Sequence, residues 1–362
     1  MRESESANPV LVEVVRGAIV ESSHSGAIAI ADTDGRLMLA LGAVERPVYP
    51  RSAVKALQAV PLVESGAADA FGLGDDELAV ACASHSGDRA HIEAVRSLLA
   101  KAGLDESHLA CGAHWPVSDK ATRELILSGR RPEAIHNNCS GKHAGMLAAA
   151  VKLGLDPRGY ERPDHELQIM IAGIISETCG VRLDRAGMGV DGCSLPTWSL
   201  PLGALARGFA RFGTGEDLAP ARAAAAAKLM DACFAAPVLV SGEGRFDTIA
   251  MGALAPDLFV KGGAEGVHCA ALLGLGLGLA LKVDDGAKRG AERALAEVLA
   301  VLLPAARRAL ADQLDGELLN WRGISVGRIT ASAGLRAALG AVDATPRRQA
   351  KTTNAVSGTL IS

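Results

Sequence analysis

Short apolar, β-branched segments cluster at both ends of this chain, while amphipathic helical spacing fills its middle; that order constrains the fold more than any other feature. Residues 10–15, 18–21, 27–31 and 37–41 read as strands, with Asp32-Thr33-Asp34-Gly35 as a hairpin turn between the last two. After Pro50 the pattern changes. Val54, Leu57, Ala59, Val60 and Leu62 fall on one side of a helix that opens at Arg51 or Ser52. Helical spacing recurs at 89–102, 142–153, 165–179, 196–212 and 220–235. Strands return at 257–261, 267–272 and 277–283, followed by a helix over 291–303 that stops at Pro304. One antiparallel sheet built from both chain ends, carrying a largely helical insertion, satisfies this order and gives an α/β (α+β) class. The expected catalytic unit is 1–329, with sheet-forming parts at about 10–50 and 237–329 and a helical region at about 51–236. Residues 330–362 read as a loosely attached tail.

Composition removes several function classes. Hydrophobic residues make up 49% of the 362 and charged ones 22%, which is ordinary globular usage. The net charge is −4, no basic block occurs, and three Trp, two Tyr and six Phe leave little for base stacking, so nucleic acid is not an expected partner. The first eight residues lack a basic stretch followed by an apolar one, and the apolar run 267–281 is too short and glycine-broken to span a bilayer. A cytoplasmic protein without membrane association is expected. Its seven cysteines then read as free thiols or ligands.

Only ten of the 37 basic residues are lysines, so a lysine in an apolar or glycine-rich setting raises a chemical question. Ser52 stands at a helix start and Lys55 one turn further on the same face. A lysine whose pKa is lowered can activate such a serine; alternatively the pair is a helix cap and a solvated cation. Phe259-Val260-Lys261-Gly262-Gly263 is an apolar strand ending in a lysine and two glycines. It is similar to the strand-borne K-T-G or K-S-G of serine penicillin-recognising folds, where glycine admits the substrate to the strand backbone. In Cys82-Ala83-Ser84-His85-Ser86-Gly87, Ser84 is a candidate proton shuttle or second nucleophile, and Ser84 or Ser86 could instead cap the helix near Asp88. Cys139 and Cys193 with one nitrogen donor would make a zinc site; by residue chemistry His143 is the ordinary nitrogen ligand and Lys142 an unusual one. Buried inert thiols are the alternative.

Together, R-G-A-I-V-E-S (16–22), the S-x-x-K at 52–55, C-A-S-H-S-G (82–87), H-N-N-C-S-G-K-H-A-G-M (136–146), D-G-C (191–193), S-G-E-G-R-F-D-T (241–248) and V-K-G-G-A-E-G-V (260–267) resemble the bacterial asparaginase II family, the rhizobial, thermolabile type. The resemblance runs from about residue 10 to 329. It implies a serine β-lactamase-like fold, hydrolysis of L-asparagine to L-aspartate and ammonia, and a homodimer. It also implies two serine–lysine pairs, Ser52 with Lys55 and Ser84 with Lys261, and a zinc ion held by Cys139, Lys142 and Cys193 in place of His143. Asp191, Lys142, His143 and Arg51 are the candidate substrate-binding residues. In this reading Ser52 attacks the side-chain amide, Lys55 takes its proton, and zinc places the charged end of the substrate. A glutaminase is the nearest alternative, and a non-catalytic zinc or thiol sensor on the same scaffold is the alternative from another class.

Overall fold

The computed structural model describes residues 7–183 and 187–342, and in it strands from the two chain ends interleave in one eight-stranded antiparallel sheet. The order is Glu317–Leu319, Ser325–Ala331, Val10–Arg16, Ile19–Ala31, Leu277–Val283, Val267–Leu272, Leu258–Gly263, with Leu37–Leu41 paired to Ile19–Ala31. Ile19–Ala31 is the hinge of this arrangement. Its first half pairs with Val10–Arg16, while residues 26–31 pair with Leu277–Val283, Ile28 facing Leu281. The sequence pattern divides this strand in two because Ser22-Ser23-His24-Ser25 breaks the apolar run; neighbours on both sides keep the backbone extended there.

Every residue of Val267–Leu272 is buried, and all but one of Leu277–Val283. Successive side chains point to opposite faces, so both faces of this part of the sheet are covered. Helices Leu202–Thr214 and Lys288–Leu302 supply the cover. The first comes very close, since a Cβ on Gly278 would lie 1.9 Å from the Ala206 carbonyl oxygen. Only glycine fits there.

The inserted helices wrap around Lys55–Glu64, which packs against Ser140–Leu153, Glu166–Cys179 and Pro220–Ala235. It is buried continuously from Lys55 to Leu62, as a helix apolar on all sides must be. That burial takes its first residue, a lysine, out of water.

Two expectations about chain course are corrected. The helix expected over 196–212 begins only at Leu202: Pro196–Trp198 pairs with Met188–Val190, and Leu200–Pro201 with Pro47–Val48. Pro196 and Pro201 each lack a backbone N–H, and Thr and Trp between them suit extended structure. The tail expected from residue 330 is not loose at its start. Ala331 ends the strand paired with Val10–Arg16, and Ala333–Gly340 is a helix, capped by Ser332, whose Leu335 and Leu339 are buried. The polar run 347–354 lies outside the described residues. Among the described residues, no helix is long and apolar enough to cross a membrane.

Candidate active site

Ser52 sits in a 3-10 turn, Arg51–Val54, that runs directly into the buried helix Lys55–Glu64. The turn is unusual at Arg51, whose φ of 52° costs a non-glycine residue of order 1–3 kcal/mol. What holds it is a clamp: Arg51 Nε and Nη2 donate to the same oxygen of Asp191 at 3.1 and 2.8 Å. Pro50, not Ser52, occupies the capping position, and no side-chain cap bond is made, so the Ser52 hydroxyl is left for other work. The edge strand Leu258–Gly263 lies on this turn. A Cβ at Gly263 would stand 2.6 Å from the Pro50 carbonyl oxygen and 3.4 Å from Ser52 N. Gly262 and Gly263 line the same cavity as Ser52, and Gly263 also admits the serine turn.

Ser84 follows the short helix Asp75–Ala81 and is fixed by its backbone. Its N–H donates to Val240 O at 2.9 Å, and its carbonyl accepts from Arg245 Nη1 at 2.9 Å. Its Oγ accepts from Asn138 Nδ2 at 3.3 Å. Ser86 donates to Ser241 O at 2.9 Å, and the helix Arg89–Lys101 starts at Asp88 with no side-chain cap, so neither serine is a helix cap. Ser52 and Ser84 together line one cavity of ≈ 280 Å³.

Two lysines lie behind this cavity, and both are 1% exposed. Lys55 Nζ donates to the carbonyls of Ala83 (2.6 Å) and Asn138 (3.3 Å), so it holds the Ser84 segment rather than Ser52 Oγ. Burial pulls its pKa down to about 8; negative charge on Cys139 opposes this, and the cations Lys142 and Lys261 add to it. Lys261 Nζ donates to Gly262 O (2.9 Å) and to Asp247 Oδ2 (3.4 Å). Burial lowers its pKa as well, with Asp247 opposing. Burial disfavours the Asp247 carboxylate, yet Lys261 keeps its pKa below the usual range.

The third group is the thiol–amine cluster, where Lys142 Nζ donates to Cys193 Sγ at 3.2 Å. A hydrogen bond from the Cys193 thiol, with the charges of Lys55 and Lys142, holds the Cys139 pKa well below the ordinary thiol value. The same bond pushes Cys193 up. Burial opposes the Lys142 charge, but the two sulfurs raise its pKa overall. Among the described residues, no cluster of three or more His, Cys, Asp or Glu side chains could hold a metal. Cys139 and Cys193 supply only two such donors; the third group converging on their sulfurs is the Lys142 nitrogen, and sulfur with nitrogen is a donor set that fits zinc.

His143 does not join any of these groups. It is fully buried, its Nδ1 is 2.5 Å from the Tyr160 hydroxyl, and the rings meet edge to face. Its neighbour Tyr160 occupies it inside the helical core, and it does not line the cavity shared by Ser52 and Ser84. Asp247, Asn138 and Arg245 are the residues that sequence reasoning did not assign. Asp247 also accepts from Gly262 N at 2.9 Å and so ties the helix Phe246–Leu254 to the edge strand. The signal for it was present in the R-F-D-T stretch, 245–248, which stands out as polar before an apolar helix.

The family model for L-asparaginase II matches residues 12–331, and this places the chain among the amidohydrolases. It belongs to the L-asparaginase II family. Among solved structures, Mglu in its native form in 4.3 M NaCl is 16% identical, with a TM-score of 0.40 over 80% of this chain. The chain spans 61% of the Mglu chain in that structure. A second native Mglu structure is also 16% identical, with a TM-score of 0.41 over 84% of this chain and 68% of Mglu. A β-lactamase from Mycobacterium bovis is 13% identical, with a TM-score of 0.35 over 80% of this chain and 94% of its own. A search of curated proteins found no significant match.

Proposed function

We propose that the protein is an L-asparaginase that hydrolyses the side-chain amide of asparagine through an acyl ester on Ser52. The observation that carries this reading is the pairing of one cavity, lined by both Ser52 and Ser84, with two buried lysines of lowered pKa directly behind it. Lys55 is one turn from Ser52 and, with a pKa of about 8, is neutral often enough near neutrality to accept the serine proton. That proton goes on to the departing nitrogen, ammonia leaves, and water then cleaves the ester. Ser84 relays protons beside the nucleophile, and Lys261, held by Asp247, keeps a fixed positive charge next to it. The outward N–H of Gly262 is already taken by Asp247, so the oxyanion donors on this reading are the N–H groups of Ser52 and Ala264.

Arg51 and Asp191 would hold the charged α-carbon end of the substrate, next to Lys142. Cys139, Cys193 and Lys142 would hold a zinc ion, which supplies binding of that charged end rather than bond cleavage. On this reading the protein is a cytoplasmic homodimer. Ammonia release from asparagine and glutamine, measured side by side for the wild type and for Ser52→Ala, tests it. Turnover of asparagine in preference to glutamine, lost in the variant, is the expected result; equal turnover of glutamine contradicts the substrate, and an active variant contradicts the nucleophile.

A further inference from the structure

The cavity lined by Ser52 and Ser84 is walled by other residues than those assigned to the α-carbon end. Arg51, Asp191 and Lys142 do not line it; Arg245, Phe246, Lys288 and Glu292 do. With the α-carbon end held at Arg51 and Asp191, this cavity is left to the leaving group. Ammonia needs about 30 Å³ there, the share of a water-sized molecule. The cavity measures ≈ 280 Å³, and it shares Val117, Arg245 and Lys288 with a second hollow of ≈ 780 Å³.

Its charges are unequal in an informative way. Lys288 is compensated by Glu292 at 3.3 Å. Arg245 is half-buried and spends Nη1 on the carbonyls of Ser84 (2.9 Å) and Ser241 (3.3 Å). Among the described residues, no carboxylate lies within ion-pair distance of it, and Nε and Nη2 have no acceptor. Asp247, Glu265 and Glu292 also line the cavity, yet a guanidinium that makes no ion pair and keeps a planar edge of donors free matches a carboxylate. Val117 and Phe246 supply apolar wall beside it.

We propose that this cavity is a leaving-group subsite, and that the enzyme cleaves β-aspartyl amides whose leaving amine is itself an amino acid, its carboxylate bound by Arg245. The proposal rests on Ser52 as the nucleophile of an asparagine-type amidohydrolase and extends that activity to secondary amides. Ser52 Oγ adds to the β-carbonyl carbon and the C–N bond breaks. The serine proton passes through Lys55 to the nitrogen, so a free amino acid departs. Water then hydrolyses the ester and releases aspartate, with no other reactant required.

The test uses β-aspartyl-leucine and β-aspartyl-leucinamide, identical except for the leaving-group carboxylate, with asparagine as reference. Release of leucine or leucinamide is measured for the wild type and for Arg245→Gln. The wild type should prefer the acid to the amide by about tenfold to a hundredfold in kcat/KM, the range of a charge-assisted bond. Arg245→Gln should bring that ratio close to one whatever happens to overall rate, a change that a merely structural part for Arg245 would not produce. Asparagine turnover without cleavage of either dipeptide overturns the subsite, as does equal cleavage of acid and amide by the wild type. Absence of asparagine turnover overturns the asparaginase reading itself, and the subsite with it.

Discussion

The two serine–lysine pairs are built alike at first sight and differ in what surrounds the lysine. Lys55 is buried against the carbonyls of Ala83 and Asn138 and beside the Cys139 sulfur, with no carboxylate near it among the described residues, and two further cations push on it. Lys261 is equally buried, yet Asp247 stands against it and is itself held ionised. The difference separates their work. On the proposed reading Lys55, with a pKa of about 8 and no carboxylate, serves as the base, while Lys261, lowered by burial but opposed by Asp247, serves as the cation beside it. The proposed roles of Ser52 and Ser84 follow this distinction: attack for the first, and a relay for the second, whose hydroxyl accepts from Asn138.

The largest effect should come from the first pair. Ser52→Ala should lower kcat by roughly 10³-fold or more, the scale of a removed nucleophile, in steady-state ammonia release. The melting temperature should hardly move, because the hydroxyl makes no cap bond and the change is worth at most about 0.5 kcal/mol. The sharpest contrast between the pairs lies in their lysines. Lys55→Arg should cost about 10²- to 10⁴-fold in kcat, since a guanidinium cannot act as base. Lys261→Arg keeps the charge that matters beside Asp247 and should cost far less. Equal losses at the two positions would erase the distinction.

Smaller effects follow with pH and with metal. Lys55 must be neutral to accept a proton, so kcat/KM should rise with pH and level off above about pH 8, falling about tenfold per unit below it. A flat profile from pH 6 to about 9.5 would count against a lysine base. The smallest change is expected at the thiol–amine cluster. Chelation or Cys139→Ser should raise KM for asparagine by about tenfold while kcat changes less, because the cluster serves the charged end of the substrate. Loss of kcat at constant KM would move the metal into the chemical step.

How much of this was legible before the structure depends on which physical signal each part leaves in sequence. The interleaved sheet was readable because the strands at 10–15, 267–272 and 277–283 bury apolar residues in short runs bounded by turns. The docked helix Ala333–Gly340 was not, since only Leu335 and Leu339 anchor it in a small-residue segment. At the site, spacing and resemblance single out Ser52, Lys55, Ser84 and Lys261, and the fold brings both serines to one cavity. Asp247 escaped because a lone acidic residue before an apolar helix has no spacing partner; only the three-dimensional approach of the strand at Gly262 gives it meaning. His143 shows the opposite case. Its neighbours in sequence are site residues, while its ring points to Tyr160.

One measurement bears most directly on the division of labour between the pairs. Acid-quenching the enzyme during asparagine turnover and mapping the ester by peptide mass spectrometry identifies the serine that carries the aspartyl group. The account places it on Ser52, within the peptide that contains Lys55, with none on Ser84. An aspartyl ester on Ser84 would contradict it, and would make the Asp247-bound Lys261 the partner of the nucleophile.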